Sequence, residues 1–245
     1  MTPEGSVWQE AEVVRRYLER VRAGRLLAAE QIEVLLRVVA ARGEAVRRLV
    51  DLGAGDGVLA ALVLERYPDA EAVLVDFSEP MLSEARDRFQ GDEPKVSFVL
   101  ADLRDSSWVR QISRQAPFDV IVSGYAIHHL EDRRKRQLYR EAYELLGPGG
   151  LFVNMEHVSS PSPWVESIFE EWQIDSNHAA QAGQDGARSR AEVAEEYANR
   201  RDRLANIFAP VETQCDWLRE IGFQDVDCFF KAFEYAVFGG RRPAP

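Results

Sequence analysis

Between Arg48 and Val158 short apolar runs alternate with longer amphipathic ones, and this rhythm limits the fold more than any single residue does. "RRLVDLG", "AEAVLVDFS", "KVSFVLADL", "FDVIVSGYA" and "GLFVNMEHV", several of them nearly all apolar, predict strands. The segments "VLAALVLERYP", "EPMLSEARDRF", "SSWVRQISRQ" and "EDRRKRQLYREAYELL" predict the intervening helices, with Pro80 in a first turn and "GPGG" closing the last. Strands that are nearly all apolar must be covered on both faces, and strands joined through helices run parallel. The expected fold is α/β: a doubly wound, mostly parallel sheet between two helical layers.

The flanks behave differently. Residues 7–48 carry helical periodicity, punctuated by Gly24 and Gly43 into two helices. After Val158 the alternation stops, and residues 159–212 are polar and helix-rich, interrupted by "SSPSP" and "QAGQDGARS". "VETQCDWLREIGF" then reads as a helix ending at Gly222. "QDVDCFFKAFEYAVFGG" reads as two short strands with a tight turn near Lys231 to Phe233, forming an antiparallel edge. The expected division is N-terminal helices over 1–45, a sheet domain from 46–158 and 213–245, and a helical insertion over 159–212.

Charge and composition exclude several partners. A net charge of −11 over 245 residues argues against a polyanionic partner, so no nucleic acid is expected. The basic clusters "RRKR" at 133–136 and "RRDR" at 200–203 sit among acids and read as solvated helix faces. No apolar run approaches the roughly 18 residues of a membrane span, and the start "MTPEGSVWQEAEVV" does not have the pattern of a signal peptide. Cys215 and Cys228 are expected to be reduced, packed thiols, and the default location is cytoplasmic. His128, His129, His157, His178 and Glu156 show no ligand spacing, so no metal is expected.

One stretch is expensive in backbone entropy: "VDLGAGDG", with Gly53, Gly55 and Gly57 at alternate positions. Either the glycines only turn a strand into a helix, or they let a ligand approach the main chain at the sheet's carboxyl edge. A pyrophosphate site has the spacing G-x-G-x-x-G. Here Asp51 leads D-x-G-x-G-x-G, which disfavours a phosphate and favours an ammonium or hydroxyl group. Asp76 ends the next strand, where a carboxylate accepts hydrogen bonds from a ribose diol. Asp102 follows the third strand, placed to accept from an adenine amino group, with Phe77 and Met81 on either side of the ring. Each acid alone is also a helix cap; three at successive strand ends are hard to explain that way.

"VDLGAGDG", "LVDFSEPML", "VLADL", "FDVIVSGYAIHHL" and "ELLGPGG" together resemble the motif series of class I S-adenosylmethionine-dependent methyltransferases, over about residues 46–157. The resemblance implies a seven-stranded Rossmann-like sheet with a reversed last strand and S-adenosyl-L-methionine across its carboxyl edge. It places Gly53, Gly55 and Gly57 against the methionine part and ribose, Asp76 at the ribose hydroxyls, and Asp102 and Leu103 at the adenine. With Asp51, Ala54, Phe77, Met81, Ala101 and Ser123, these complete the expected cofactor-binding set.

Methyl transfer from a sulfonium is an in-line displacement with a good neutral leaving group, so the protein mainly supplies alignment and exclusion of water. A base is needed only where the nucleophile must shed a proton. Candidates at the same rim are Tyr125, His128, Glu156 and His157, with His129 read as a packing residue. In "NMEHV" one of Glu156 and His157 would take a proton while the other orients it, or both would anchor the insertion. Trp164, Ile168, Phe169, Trp172 and Ile174 form an apolar stripe that is either core or pocket lining. Tyr197, Arg200 and Arg201 either meet an anionic acceptor or make surface salt bridges, and Trp8, Tyr17 and Arg25 would close the other side. The expected activity is methylation of a small-molecule acceptor at oxygen, nitrogen or carbon, by a monomer or homodimer with no membrane partner. The alternatives are a non-catalytic cofactor-binding scaffold or sensor, or an enzyme making or using a carboxylated cofactor derivative. The last segment resembles the transfer-RNA wobble-uridine enzymes in that respect.

Overall fold

The computed structural model describes residues 27–91, 95–160, 162–181, 186–199 and 206–244. Expectations for Trp8, Tyr17, Gly24, Arg25, Arg200 and Arg201 lie outside the described residues. The elements run α1 (Ala28–Ala41), β1 (Arg48–Leu52), α2 (Val58–Arg66), β2 (Glu71–Asp76), α3 (Glu79–Arg88), β3 (Val96–Leu100), α4 (Ser107–Ile112) and β4 (Phe118–Gly124). They continue with α5 (Asp132–Leu145), β5 (Leu146–His157), α6 (Pro163–Ala179), α7 (Arg190–Asn199), α8 (Val211–Ile221), β6 (Gln224–Ala232) and β7 (Tyr235–Arg241).

Seven strands form one sheet in the order β3-β2-β1-β4-β5-β7-β6. Neighbours from β3 to β5 pair in parallel, and only β7 is reversed, antiparallel to both β5 and β6. The order of construction reverses between β1 and β4, and such a switch point opens a crevice at the carboxyl ends of the strands.

Alternation along the strands assigns each residue to one of two cores. Val50, Leu52, Val73, Val75 and Ile121 pack with Trp108, Leu138, Tyr139 and Leu218 on one side of the sheet. Leu49, Leu74, Val120 and Val122 pack on the other with Leu35 and Val39 of α1, Leu59 and Val63 of α2, and Ala85 of α3. Burial of each such side chain stabilises the fold by roughly 1.5–3 kcal/mol. Ser78 caps α3 by accepting from the Met81 N–H at 3.3 Å, with Pro80 in the first turn as its position predicts. Gly222, at φ +119°, closes α8.

Three local expectations are corrected. β5 begins at Leu146, ahead of "GPGG" rather than after it, because Leu146 pairs with Phe118 and the strand resumes past a register shift. The glycines are held within it by exchange with the chain end: Gly149 N–H donates to the Arg242 carbonyl and Arg242 N–H to that of Gly150. β6 and β7 are nine and seven residues long rather than short, and the chain reverses at Phe233–Glu234, at the end of the expected Lys231 to Phe233. Phe233, at φ +52°, has its ring stacked 4.4 Å from Trp172 of α6, so a tertiary contact fixes the turn where local turn chemistry would not.

The third correction concerns "RRKR", where Arg133 and Arg136 are exposed but Arg134 and Lys135 are not a solvated face. Arg134 donates to the Leu103 carbonyl at 2.6 Å and to both carboxylate oxygens of Glu141. Lys135 is 1% exposed, its ammonium shared between Asp132 and the Ile207 carbonyl. Cys215 and Cys228 are free, and burial pushes the Cys215 thiol up to about 12. Among the described residues no helix is long and apolar enough to cross a membrane.

Candidate active site

The bend after β1 is laid across β2: the N–H groups of Gly53 and Ala54 both donate to the Val75 carbonyl, at 2.8 and 3.1 Å. The glycines have different causes. A Cβ on Gly53 would lie 2.1 Å from the Ala126 Cβ, and one on Gly57 would lie 2.8 Å from the Phe89 ring. At Gly55 the nearest atom would be Met81 Sδ at 3.9 Å, so only its φ of +56° demands glycine, and space remains over the backbone. Packing thus accounts for two positions and leaves the middle one open to a ligand.

Asp76 ties this bend to the next helix. One carboxylate oxygen accepts from the Gly55 N–H and the other from the Ser78 N–H, each at 2.8 Å. The Phe77 N–H also bears on this carboxylate, which with about four lone-pair sites still has capacity for a ligand hydroxyl. Burial raises its pKa. Asp51 is 1% exposed; Oδ2 accepts from the Ala60 N–H, while Oδ1 is buried without a hydrogen-bond partner. Burial pushes this carboxyl up to about 7. Such an orphaned oxygen is costly unless a donor reaches it.

Buried Ala101 donates its N–H to the Asp76 carbonyl at 2.9 Å, and buried Leu103 and Met81 flank the same edge. Asp102 is held by Arg104, through its N–H at 2.9 Å and its guanidinium. That guanidinium also lies 5.7 Å from the centre of the Phe77 ring. Ser123 directs its hydroxyl to the Leu52 carbonyl at 2.7 Å and so fastens β4 to β1 at the switch point.

Across the switch point stands a different chemistry. Tyr125 follows β4 at φ +54°, an outlier for a bulky residue, and its phenol donates to Gln31 of α1, which is fully buried and donates in turn to the Ala236 carbonyl. Glu156, at the end of β5, accepts from the His128 N–H at 3.0 Å and from the His128 ring nitrogen Nδ1. Both are buried. The His129 ring lies tilted against that of His128, with 4.1 Å between ring centres.

The expected side-chain pairing of Glu156 with His157 is corrected. Successive side chains of a strand leave opposite faces, and it is the His157 backbone N–H that donates to Glu156, at 2.8 Å. The His157 ring instead lies 3.6 Å from Glu234 at the hairpin turn. Glu234, Gln31 and Phe208 were not among the sequence candidates. The available signal for Glu234 was a hairpin turn reading Phe-Glu where Asn-Gly is favoured. Phe208 sits on a strap over the histidines, stacked on His157 and 5.7 Å from His128. The strap is tied down by Ile207, whose N–H donates to the His128 carbonyl at 2.7 Å while its carbonyl accepts from Lys135.

The apolar stripe on α6 divides. Phe169 and Ile174 are buried and Trp172 stacks on Phe233, but Trp164 and Ile168 are exposed. No group of three or more metal-ligating side chains occurs among the described residues.

The family model described as a methyltransferase domain matches residues 49–150, from β1 into β5. Residues 49–150 form a class I S-adenosylmethionine-dependent methyltransferase domain. This methyltransferase domain has curated relatives. The chain is 34% identical over 134 residues to a trans-aconitate 2-methyltransferase of Variovorax paradoxus, covering 49% of the chain and 48% of the relative. It is 32% identical over 118 residues to a demethylmenaquinone methyltransferase of Thermus thermophilus, covering 48% and 50%. The chain thus spans about half the length of the curated relatives it matches. In fold it is similar to human N-acetylserotonin methyltransferase in complex with SAM, with a TM-score of 0.63 at 13% identity, over 99% of the chain and 60% of that one.

The residues of the methyltransferase domain fit S-adenosylmethionine. Its ammonium and sulfonium are cationic and its ribose carries a diol. Two buried carboxyl groups would suit them: Asp51 with an unpartnered oxygen, and Asp76 beside the open backbone of Gly55.

Proposed function

We propose that this chain transfers a methyl group from S-adenosylmethionine to a small-molecule acceptor that must shed a proton, an oxygen foremost. The observation that carries this reading is the buried His128–Glu156 pair, set across the switch point from Asp76. The cofactor supplies an electrophilic methyl group on a good leaving group. Asp76 and Asp51 would hold its diol and its cationic end. Glu156 holds the His128 ring by Nδ1, which fixes that nitrogen as the N–H and leaves Nε2 to take the acceptor proton. The same carboxylate stabilises the imidazolium that results. Phe208 excludes water from above, and α1, α6 and α7 act as the cover on the acceptor side. The net charge of −11 favours a small acceptor over a nucleic acid.

The test is calorimetry with S-adenosylmethionine, followed by S-adenosylhomocysteine formation on metabolite extracts. Asp76→Ala should weaken cofactor binding by about tenfold to a hundredfold through its lost hydrogen bonds. His128→Gln should bind the cofactor like the parent and lose about 10²–10⁴-fold in turnover. No binding at millimolar cofactor, or full turnover in His128→Gln, refutes the reading.

A further inference from the structure

The hairpin turn is built at odds with local preference. A two-residue reversal favours Asn-Gly, whose residues accept a positive φ without strain. Here it is Phe233, at φ +52°, followed by Glu234, whose side chain is only 7% exposed although it sits at the tip of a turn. Strain and a buried charge at one point indicate a demand from outside the turn. The surroundings meet it. Phe233 is seated on Trp172 and Phe169 of α6, and the Glu234 carbonyl accepts the Val158 N–H at 2.8 Å. The turn is thereby docked at the carboxyl end of β5, and the Glu234 carboxylate faces Nδ1 of His157 at 3.6 Å.

His157 is not an ordinary packing histidine. A fifth of its side chain is accessible, and its ring centre lies 5.7 Å from that of His128. Phe208 is stacked on it, with the rings of Tyr125 and Tyr235 edge-on at 5.0 and 4.7 Å. Two imidazoles, each with its own buried carboxylate, therefore stand side by side at one rim.

Proton removal from a single acceptor atom needs one such pair. We propose that His157 and Glu234 form a second pair that binds a polar group of the acceptor beside the one receiving the methyl group. On this basis the chain selects flat acceptors with oxygen functions on neighbouring atoms. Resting on the function proposed above, this adds a specificity subsite to it. Glu234 holds the His157 ring by charge across 3.6 Å, where Glu156 holds that of His128 by a hydrogen bond, and the second imidazole hydrogen-bonds the neighbouring oxygen. A separation of 5.7 Å between ring centres suits oxygens on adjacent atoms and not at opposite ends of a molecule. The aromatic surround of Tyr125, Phe208 and Tyr235 suits a planar carbon frame.

The experiment uses the full chain with isotopically labelled histidine, saturated with S-adenosylhomocysteine, and follows the imidazole resonances while catechol or phenol is added. His→Gln variants assign the signals. Catechol should shift the resonances of both His128 and His157 and bind about tenfold more tightly than phenol, the worth of one added hydrogen bond. In Glu234→Gln, which keeps the shape of the side chain, and in His157→Gln, this preference should fall to within about twofold. Catechol shifts confined to His128, no histidine shift with either probe, or an undiminished preference in both variants would overturn the subsite. Failure of S-adenosylhomocysteine to bind at all would instead remove the methyltransferase reading on which it rests.

Discussion

Asp51→Asn should make the chain more stable in alkali and less stable in acid. The Asp51 carboxyl is buried, is anchored by one hydrogen bond from Ala60, and has its pKa pushed by burial from 3.8 to about 7. Below the unfolded value both states are protonated and the group contributes nothing. Between 3.8 and about 7 the folded state holds a proton that the unfolded state releases, so stability falls as pH rises. The slope is about 1.4 kcal/mol per unit, and the penalty levels off above the folded value at about 4 kcal/mol. At about pH 4.5 it is about 1 kcal/mol. Asparagine carries no charge but leaves one buried amide N–H unpaired, at about 1–3 kcal/mol regardless of pH. The variant should therefore be equal or less stable by up to about 2 kcal/mol at pH 4.5, and more stable by about 1–3 kcal/mol at pH 8.5. Urea titrations of the ligand-free chain at the two pH values, read by tryptophan fluorescence, give the difference, and other titrating groups largely cancel between variant and parent. A variant-minus-parent difference that is the same at both pH values to within about 0.5 kcal/mol would refute the assignment of a strained, buried charge to Asp51.

Three further outcomes are expected. Gly57→Ala should cost about 1–3 kcal/mol because its methyl group meets Phe89 and Leu74, whereas Gly55→Ala should cost about 1 kcal/mol from its φ alone yet weaken cofactor binding more; thermal melts and calorimetry separate the two. Lys135→Met should raise hydrogen exchange at the Ile207 amide about tenfold, since the strap loses its ammonium anchor, and unchanged protection there would refute the anchoring. Cys215, buried with its thiol near 12, should resist alkylation at pH 8 in the folded chain and react at the ordinary rate in urea, as mass spectrometry can follow.

The parallel half of the fold was legible because its signals are local and repeated. "AVLVD" and "FDVIVSG" read as buried strands from their own composition, and Ser78 with Pro80 marked the start of α3. The acids at strand ends were legible for the same reason, since a strand's last residue is fixed by the run before it. The acceptor side was not, because its pairings cross the chain. Glu156 and His157 are neighbours in sequence, yet strand geometry sends them to different partners, His128 and Glu234, 28 and 77 positions away. Lys135 looked solvated within "RRKR" because nothing nearby in sequence announces that Ile207 will arrive over it. Gln31 gave no signal at all: a lone amide in an apolar helix reveals its role only when Tyr125 is placed beside it.

The reversal of strand order between β1 and β4 has a consequence for how such chains can diversify. On the function proposed above, donor-side groups come from β1, β2 and β3, and acceptor-side groups from the end of β4, β5, α6 and the final hairpin. The recognisable family segment stops at residue 150, inside β5 and before Glu156, His157 and Glu234 are reached. On that proposal, the division in space is in large part a division in sequence, with His128 and Tyr125 kept in the matched segment, and the later portion could be rewritten for a new acceptor while the groups that hold the donor stay as they are.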